Sequence, residues 1–177
     1  MWRYLLPVGV LGALLAFFYF GLGRDKETLP SPLIGRPAPH FELPSVEDPA
    51  RMVSTKDFEG RMYVLNIWGT WCVGCRQEHA VLLEIARRNA APLIGLDWKD
   101  DLQLAQRWLR ELGDPYAATA FDAEGRVAID WGAYGAPETF LVDATGRVVH
   151  KHVGPLSIEA WERDFMPKMT GQGSVSE

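Results

Sequence analysis

Two cysteines, Cys72 and Cys75, are the only thiols of the chain, and both lie in "WGTWCVGCRQEH". Thiols separated by two residues suit a reversible two-electron couple. One thiolate attacks a disulfide, and its neighbour displaces the mixed disulfide that results. The preceding run "MYVLNIW" (62–68) is rich in strand formers, whereas "CRQEHAVLLEIARRN" (75–89) carries apolar residues at helical spacing. Cys75 is therefore predicted to begin a helix, with Cys72 just before it. Unpaired N–H groups and the positive end of the helix dipole gather at such a place, and both favour thiolate over thiol. Cys72 is assigned as the attacking sulfur and Cys75 as the resolving one.

Other chemistry for the pair has to be weighed. A zinc site needs two more ligands. His150 and His152, at i and i+2 of a predicted strand, share a face and could be proposed, although histidines on an edge strand are more often surface residues. A c-type haem attachment needs C-x-x-C-H, and Arg76 stands in the histidine position. A purely structural bridge would close too short a loop to remove much chain entropy. The redox couple is the favoured reading. It calls for no metal and no cofactor beyond a redox-active Cys72–Cys75 disulfide.

The elements that must position the pair follow from hydrophobic patterning. "APLIGLDW" (91–98) reads as a second buried strand, and "DDLQLAQRWLRELG" (100–113) as a second amphipathic helix closed by Gly113. "ETFLVD" and "RVVHKHV" around "ATG" read as a hairpin. "SIEAWERDFMPKM" (157–169) reads as a last helix with Ser157 as N-cap. Strands followed by crossover helices, then a hairpin and a helix, imply an α/β sandwich with a mixed sheet. Trp108, Trp131 and Trp161 are expected in the core, with Trp68 as readily core as site. The length of 177 residues, with 47% hydrophobic and 23% charged residues, fits one globular domain. A net charge of −5 without a basic patch argues against nucleic acid as a partner.

The first stretch differs. Residues 5–23, "LLPVGVLGALLAFFYFGLG", carry no charge. Since about 20 apolar residues in a helix cross the ~30 Å hydrocarbon core, this run reads as a membrane anchor (residues 1–23). A cleaved signal peptide would have a shorter apolar core and a small-residue cleavage site, and a buried helix would show a polar face. Arg3 before the run and Arg24 and Lys26 after it leave the orientation open. Pro30, Pro32, Pro37 and Pro39 mark residues 24–40 as an extended linker. The body then spans 41–169, and 170–177 reads as a disordered tail.

With "WGTWCVGC", "GLDWKDD" and "YGAPETFLVD" together, the chain resembles the thioredoxin superfamily. It is more closely similar to the DsbE/CcmG family of membrane-anchored thiol:disulfide interchange proteins of cytochrome c maturation, over about residues 33–169 and the anchor. The resemblance implies a thioredoxin-like α/β sandwich, a mixed central sheet flanked by helices, preceded by one N-terminal transmembrane helix. It implies that Cys72 is an exposed nucleophile and Cys75 its buried partner. Pro137 would be a cis-proline beside them, and the backbone of Ala136 would pair with an extended client as an added strand. Trp71 would belong to the apolar docking face.

Ordinary thioredoxins bury an aspartate six residues before the first cysteine. Asn66 stands there in this chain and cannot titrate. The resemblance assigns the acidic centre instead to Glu78, one helical turn after Cys75, to Glu138 after Pro137, and to Asp97 near the end of the second strand. A carboxylate close to a thiol raises its pKa and makes the couple more reducing. The implied protein is a monomeric reductase of the inner membrane, its catalytic domain in the periplasm. Its clients would be the haem-binding cysteines of apocytochrome c or a thiol protein of the maturation machinery. A transmembrane DsbD/CcdA-type protein would supply electrons. A related anchored reductase of the TlpA/ResA kind, serving copper-site assembly, would differ only in its client.

Overall fold

The computed structural model describes residues 31–171, together with Leu6, Val10, Leu11, Gly12, Leu14 and Ala16, which are helical. The expected anchor falls largely outside the described residues, as does most of the expected tail. Among the described residues, no helix is long and apolar enough to cross a membrane.

Two short strands, β1 (Glu42–Pro44) and β2 (Met52–Ser54), pair antiparallel. Ser54 then caps a 3-10 turn, Thr55–Phe58, in a reciprocal capping box with Asp57. The apolar run predicted first becomes β3 (Tyr63–Trp68), buried at every position. A strand covered on both faces needs apolar side chains in both directions. Here Val64 and Trp68 join one core layer, while Leu65 and Ile67 join the other.

Helix α1 (Val73–Arg88) follows and ends at Asn89 in the left-handed conformation. Next come β4 (Leu93–Trp98), α2 (Leu102–Leu112), β5 (Ala118–Asp122) and α3 (Arg126–Asp130). The hairpin β6 (Glu138–Val142) and β7 (Val148–Val153) completes a five-stranded sheet of order β5-β4-β3-β6-β7. β3, β4 and β5 are parallel, β6 runs antiparallel to β3, and β7 antiparallel to β6. The chain closes with α4, which is helical over Ile158–Ala160, widens to a π-helical turn over Trp161–Phe165, and resumes over Met166–Thr170. Ser157 caps it as expected, its hydroxyl accepting the Ala160 N–H at 3.1 Å. Trp108, Trp131 and Trp161 are buried, and so is Trp68.

The described half of the proline-rich stretch, expected as linker, lies against the sheet. Gly35 N–H donates to Val148 O, Val148 N–H to Arg36 O, and Ala38 N–H to Gly146 O. Pro37 thereby bridges to Arg147 at the start of β7, and Leu33 packs on the core.

Candidate active site

Helix α1 begins two residues earlier than its apolar periodicity suggests. Cys72 is the N-cap, in extended conformation, and its Sγ accepts the Cys75 N–H at 3.0 Å. Cys75 is thus the third helical residue, not the first. The physical reason is that the cap sulfur satisfies an otherwise orphaned N–H, so the helix reaches back to the residue that supplies it. Any negative charge on Cys72 Sγ meets that N–H and the positive helix end.

The two sulfurs are joined as a disulfide, with Cα atoms 5.3 Å apart. Cys72 was expected to be exposed, yet it is 4% accessible, hardly more than Cys75 at 2%. Packing explains the difference. Gly74, between the cysteines, lies so near the rings of Pro137 and Pro155 that an added Cβ would come within 2.8 and 3.1 Å of them. The Ala136–Pro137 peptide bond is cis. Pro137 O accepts the Gly154 N–H at 2.9 Å. Ala136 stands in a groove of about 170 Å³ with Tyr134, Gly135, Val153 and Gly154. On the other side of the disulfide, Trp71 is 51% exposed and Val73 73%. The Trp71 indole donates Nε1–H to Trp98 O at 3.0 Å. Thr70 donates both its N–H and its hydroxyl to Asp100. The loop before Cys72 is therefore moored to the loop after β4.

Beneath the disulfide lies a buried polar layer between the sheet and α1. Glu78 is 1% exposed. Its Oε1 accepts from Asn66 Nδ2 at 2.9 Å and its Oε2 from Leu156 N–H at 2.7 Å. Asn66 also donates to Thr139 Oγ1 at 3.0 Å and accepts the Tyr116 hydroxyl at 2.7 Å. Burial pushes the Glu78 carboxyl up to about 7, although the two donors oppose the shift. Asp97 is fully buried near the end of β4, where it pairs in register with Trp68. Neither of its oxygens has a partner among the described residues. Burial, aided by the charge of Asp100, pushes it up to about 9.

Glu138 does not join these acids. Alternation along β6 sends it to the opposite face of the sheet, with Phe140. There it forms an ion pair with Lys151, Nζ to Oε2 at 2.9 Å, with both side chains buried. Glu138 lines the same groove as Ala136 and Pro137, but its carboxylate turns to Lys151, on the face of the sheet away from Glu78. Of the three acids expected together, Glu138 is thus set apart from Glu78 and Asp97. His150 and His152 are also apart from the cysteines in role: His150 meets the edge of Phe165 on α4, and His152 lies near Pro155 O.

Among the residues of the buried polar layer, Tyr116 and Thr139 were not singled out from the sequence, since each supplies a contact between elements that no local pattern encodes. The alternation in "AATAFD" was the available signal for β5 and hence for a residue packed before it.

A helix capped by the first cysteine of a C-x-x-C pair, a cis-proline against it, and a mixed sheet behind it define a thioredoxin-like thiol-disulfide oxidoreductase. The Redoxin family profile matches residues 33–165. The thiol:disulfide interchange protein DsbE of Allochromatium vinosum is 43% identical over 93% of this chain and 91% of its own. DsbE of Pseudomonas aeruginosa is 43% identical over 92% of this chain and 90% of its own. The structure of a DsbF homologue from Corynebacterium diphtheriae shares the fold, with a TM-score of 0.65 at 22% identity over 77% of this chain and 86% of that one. The chain belongs to the DsbE family of thiol:disulfide interchange proteins.

Proposed function

We propose that the protein is a membrane-anchored periplasmic reductase of cytochrome c maturation. The observation that carries the reducing direction is Glu78, an acid buried one helical turn past Cys75 with no countercharge paired to it among the described residues. A negative charge there disfavours thiolate in Cys72 and Cys75, so the reduced pair gives up its electrons more readily. In the reaction, the Cys72 thiolate attacks the client disulfide. A Cys72–client S–S bond forms, the client S–S bond breaks, and the departing client sulfur takes a proton. Cys75 then loses its proton and attacks Cys72 Sγ, which releases the client as a dithiol. Two electrons and two protons pass to the client, and the protein leaves oxidised.

The client reading rests on the family resemblance: the oxidised C-x-x-C-H pair of an apocytochrome c, or a thiol protein of the maturation machinery. Ala136 supports a peptide client, since it lines a groove with Pro137 and no hydrogen bond among the described residues uses its N–H or C=O. Recharging in an oxidising compartment needs electrons from a transmembrane DsbD/CcdA-type donor. Residues 1–23 would hold the domain at the membrane and raise its effective concentration near membrane-bound partners.

The test is covalent trapping in cells. Cys75→Ala should accumulate mixed disulfides through Cys72, and the trapped proteins should carry C-x-x-C-H. Clients that are copper-site assembly proteins instead would replace the cytochrome reading. Trapping by Cys72→Ala but not by Cys75→Ala would reverse the two roles. A couple more oxidising than the periplasmic poise would make the protein an oxidase.

A further inference from the structure

We propose that Lys151 is a positioning residue for client docking: from the far face of the sheet it fixes the loop that carries Ala136 and Pro137. Lys151 lies on β7 directly opposite Phe140 of β6. Its side chain is 3% exposed. Nζ stands 2.9 Å from Glu138 Oε2 and donates to Gly132 O at 2.9 Å. It also lies 4.0 Å from the centroid of the Tyr134 ring, a cation–π contact. Glu138 completes the clamp, since its Oε1 accepts the Tyr134 N–H at 3.1 Å.

One ammonium group thus holds three points of the segment 132–138. Gly132 N–H also donates to Ile129 O at 2.8 Å and Ala133 N–H to Ala128 O at 3.0 Å, and Ala136 packs against the core, so the clamp matters most at Tyr134 and Gly135 between them. Gly132 takes a positive φ, Gly135 lacks a side chain, and Tyr134 is 62% exposed. A buried ion pair is a weak source of stability, because desolvation offsets most of its attraction. What this pair supplies is geometry. A docking strand that is already ordered spares the client the entropy of ordering it. The inference rests on the reading above that the client backbone pairs with Ala136.

Removing Lys151 alone would leave Glu138 buried and unpaired, which threatens folding. The informative variant is therefore Lys151→Met combined with Glu138→Gln, with Lys151→Arg as the conservative replacement. The reduced proteins are mixed with a cysteine-bridged peptide and, separately, with 2-hydroxyethyl disulfide, which has no backbone to dock. The double variant should lose about tenfold to a hundredfold in rate constant towards the peptide, the range for misplaced docking groups. Its rate towards the small disulfide and the titration of Cys72 should stay unchanged, and Lys151→Arg should restore peptide exchange. Equal losses with both disulfides would reduce Lys151 to a folding role and overturn the proposal. A control separates it from the docking reading: the same peptide N-methylated beside its cysteine. If methylation leaves the wild-type rate unchanged, the docking reading fails. If methylation slows the wild type while the double variant exchanges normally, the Lys151 proposal fails.

Discussion

Asn66 Nδ2 stands 2.9 Å from Glu78 Oε1, so the central strand grips the acid on the helix that the disulfide begins. Where a titrating residue was expected from ordinary thioredoxins, an amide holds a carboxyl brought in from another element. The buried carboxyl sits on the helix rather than on the strand, and the amide orients it.

That arrangement makes Glu78 the titrating group of the layer near neutral pH. With its carboxyl pushed up to about 7, the rate at which reduced Cys72 reacts with iodoacetamide should show an inflection near pH 7 besides that of the thiol itself. Glu78→Gln should remove this inflection, lower the thiol pKa and make the couple less reducing. A pH profile unchanged by Glu78→Gln would exclude Glu78 from tuning the thiols.

Asp97 gives a stability prediction with a definite sign. Its folded pKa, about 9, lies above the ordinary aspartate value of 3.8, so folding favours the protonated form. The resulting stability is fully present below pH 3.8 and is lost as pH rises, until it is gone above about 9. Urea midpoints of wild type and Asp97→Asn should therefore diverge between pH 5 and 9, with wild type losing ground. Parallel curves would mean that Asp97 ionises freely in the folded protein.

Gly74 is a contact residue as much as a spacer. Gly74→Ala would drive a methyl group to 2.8 Å from the Pro137 ring. Overpacking of this kind costs roughly 1–3 kcal/mol. Denaturation should register that loss, and exchange with a bridged peptide should slow because the cis-proline loop must move. A variant with wild-type stability would show that the two rings yield freely.

Trp71 offers its exposed indole beside the disulfide while its Nε1–H is held by Trp98 O. Trp71→Ala should raise KM for a peptide disulfide about fivefold to thirtyfold, or roughly 1–2 kcal/mol, with a smaller change in kcat, as for an aromatic docking anchor. Equal effects on a small-molecule disulfide would assign Trp71 to loop order alone.

The redox pair, the central strand, the two long helices and the β6–β7 hairpin were legible because each is written in local spacing. A six-residue buried strand and a helix with one apolar stripe announce themselves over a dozen residues. β1, β2, β5 and α3 were not assigned, since each is short and depends on partners distant in sequence. The start of α1 was missed because its cap is a sulfur, a donor-satisfying atom outside the usual Ser, Thr, Asp and Asn set. At the site, Glu78 and Asp97 could be nominated from sequence, but their burial could not. Glu138 shows the limit most clearly. It follows Pro137 along the chain, yet alternation along β6 places its side chain with Phe140, away from Glu78, and its partner Lys151 belongs to the neighbouring strand.

The pairing of residues 35–38 with the start of β7 has a directional consequence. The chain joins the body at the end of the sheet where β3 begins, whereas the disulfide follows the end where β3 stops. A six-residue strand is roughly 20 Å long. Residues 35–38 are thus fastened at the rear, and the sulfurs are carried at the opposite end of the domain, as on an outstretched arm. An attachment at that rear would leave the front unobstructed for large clients.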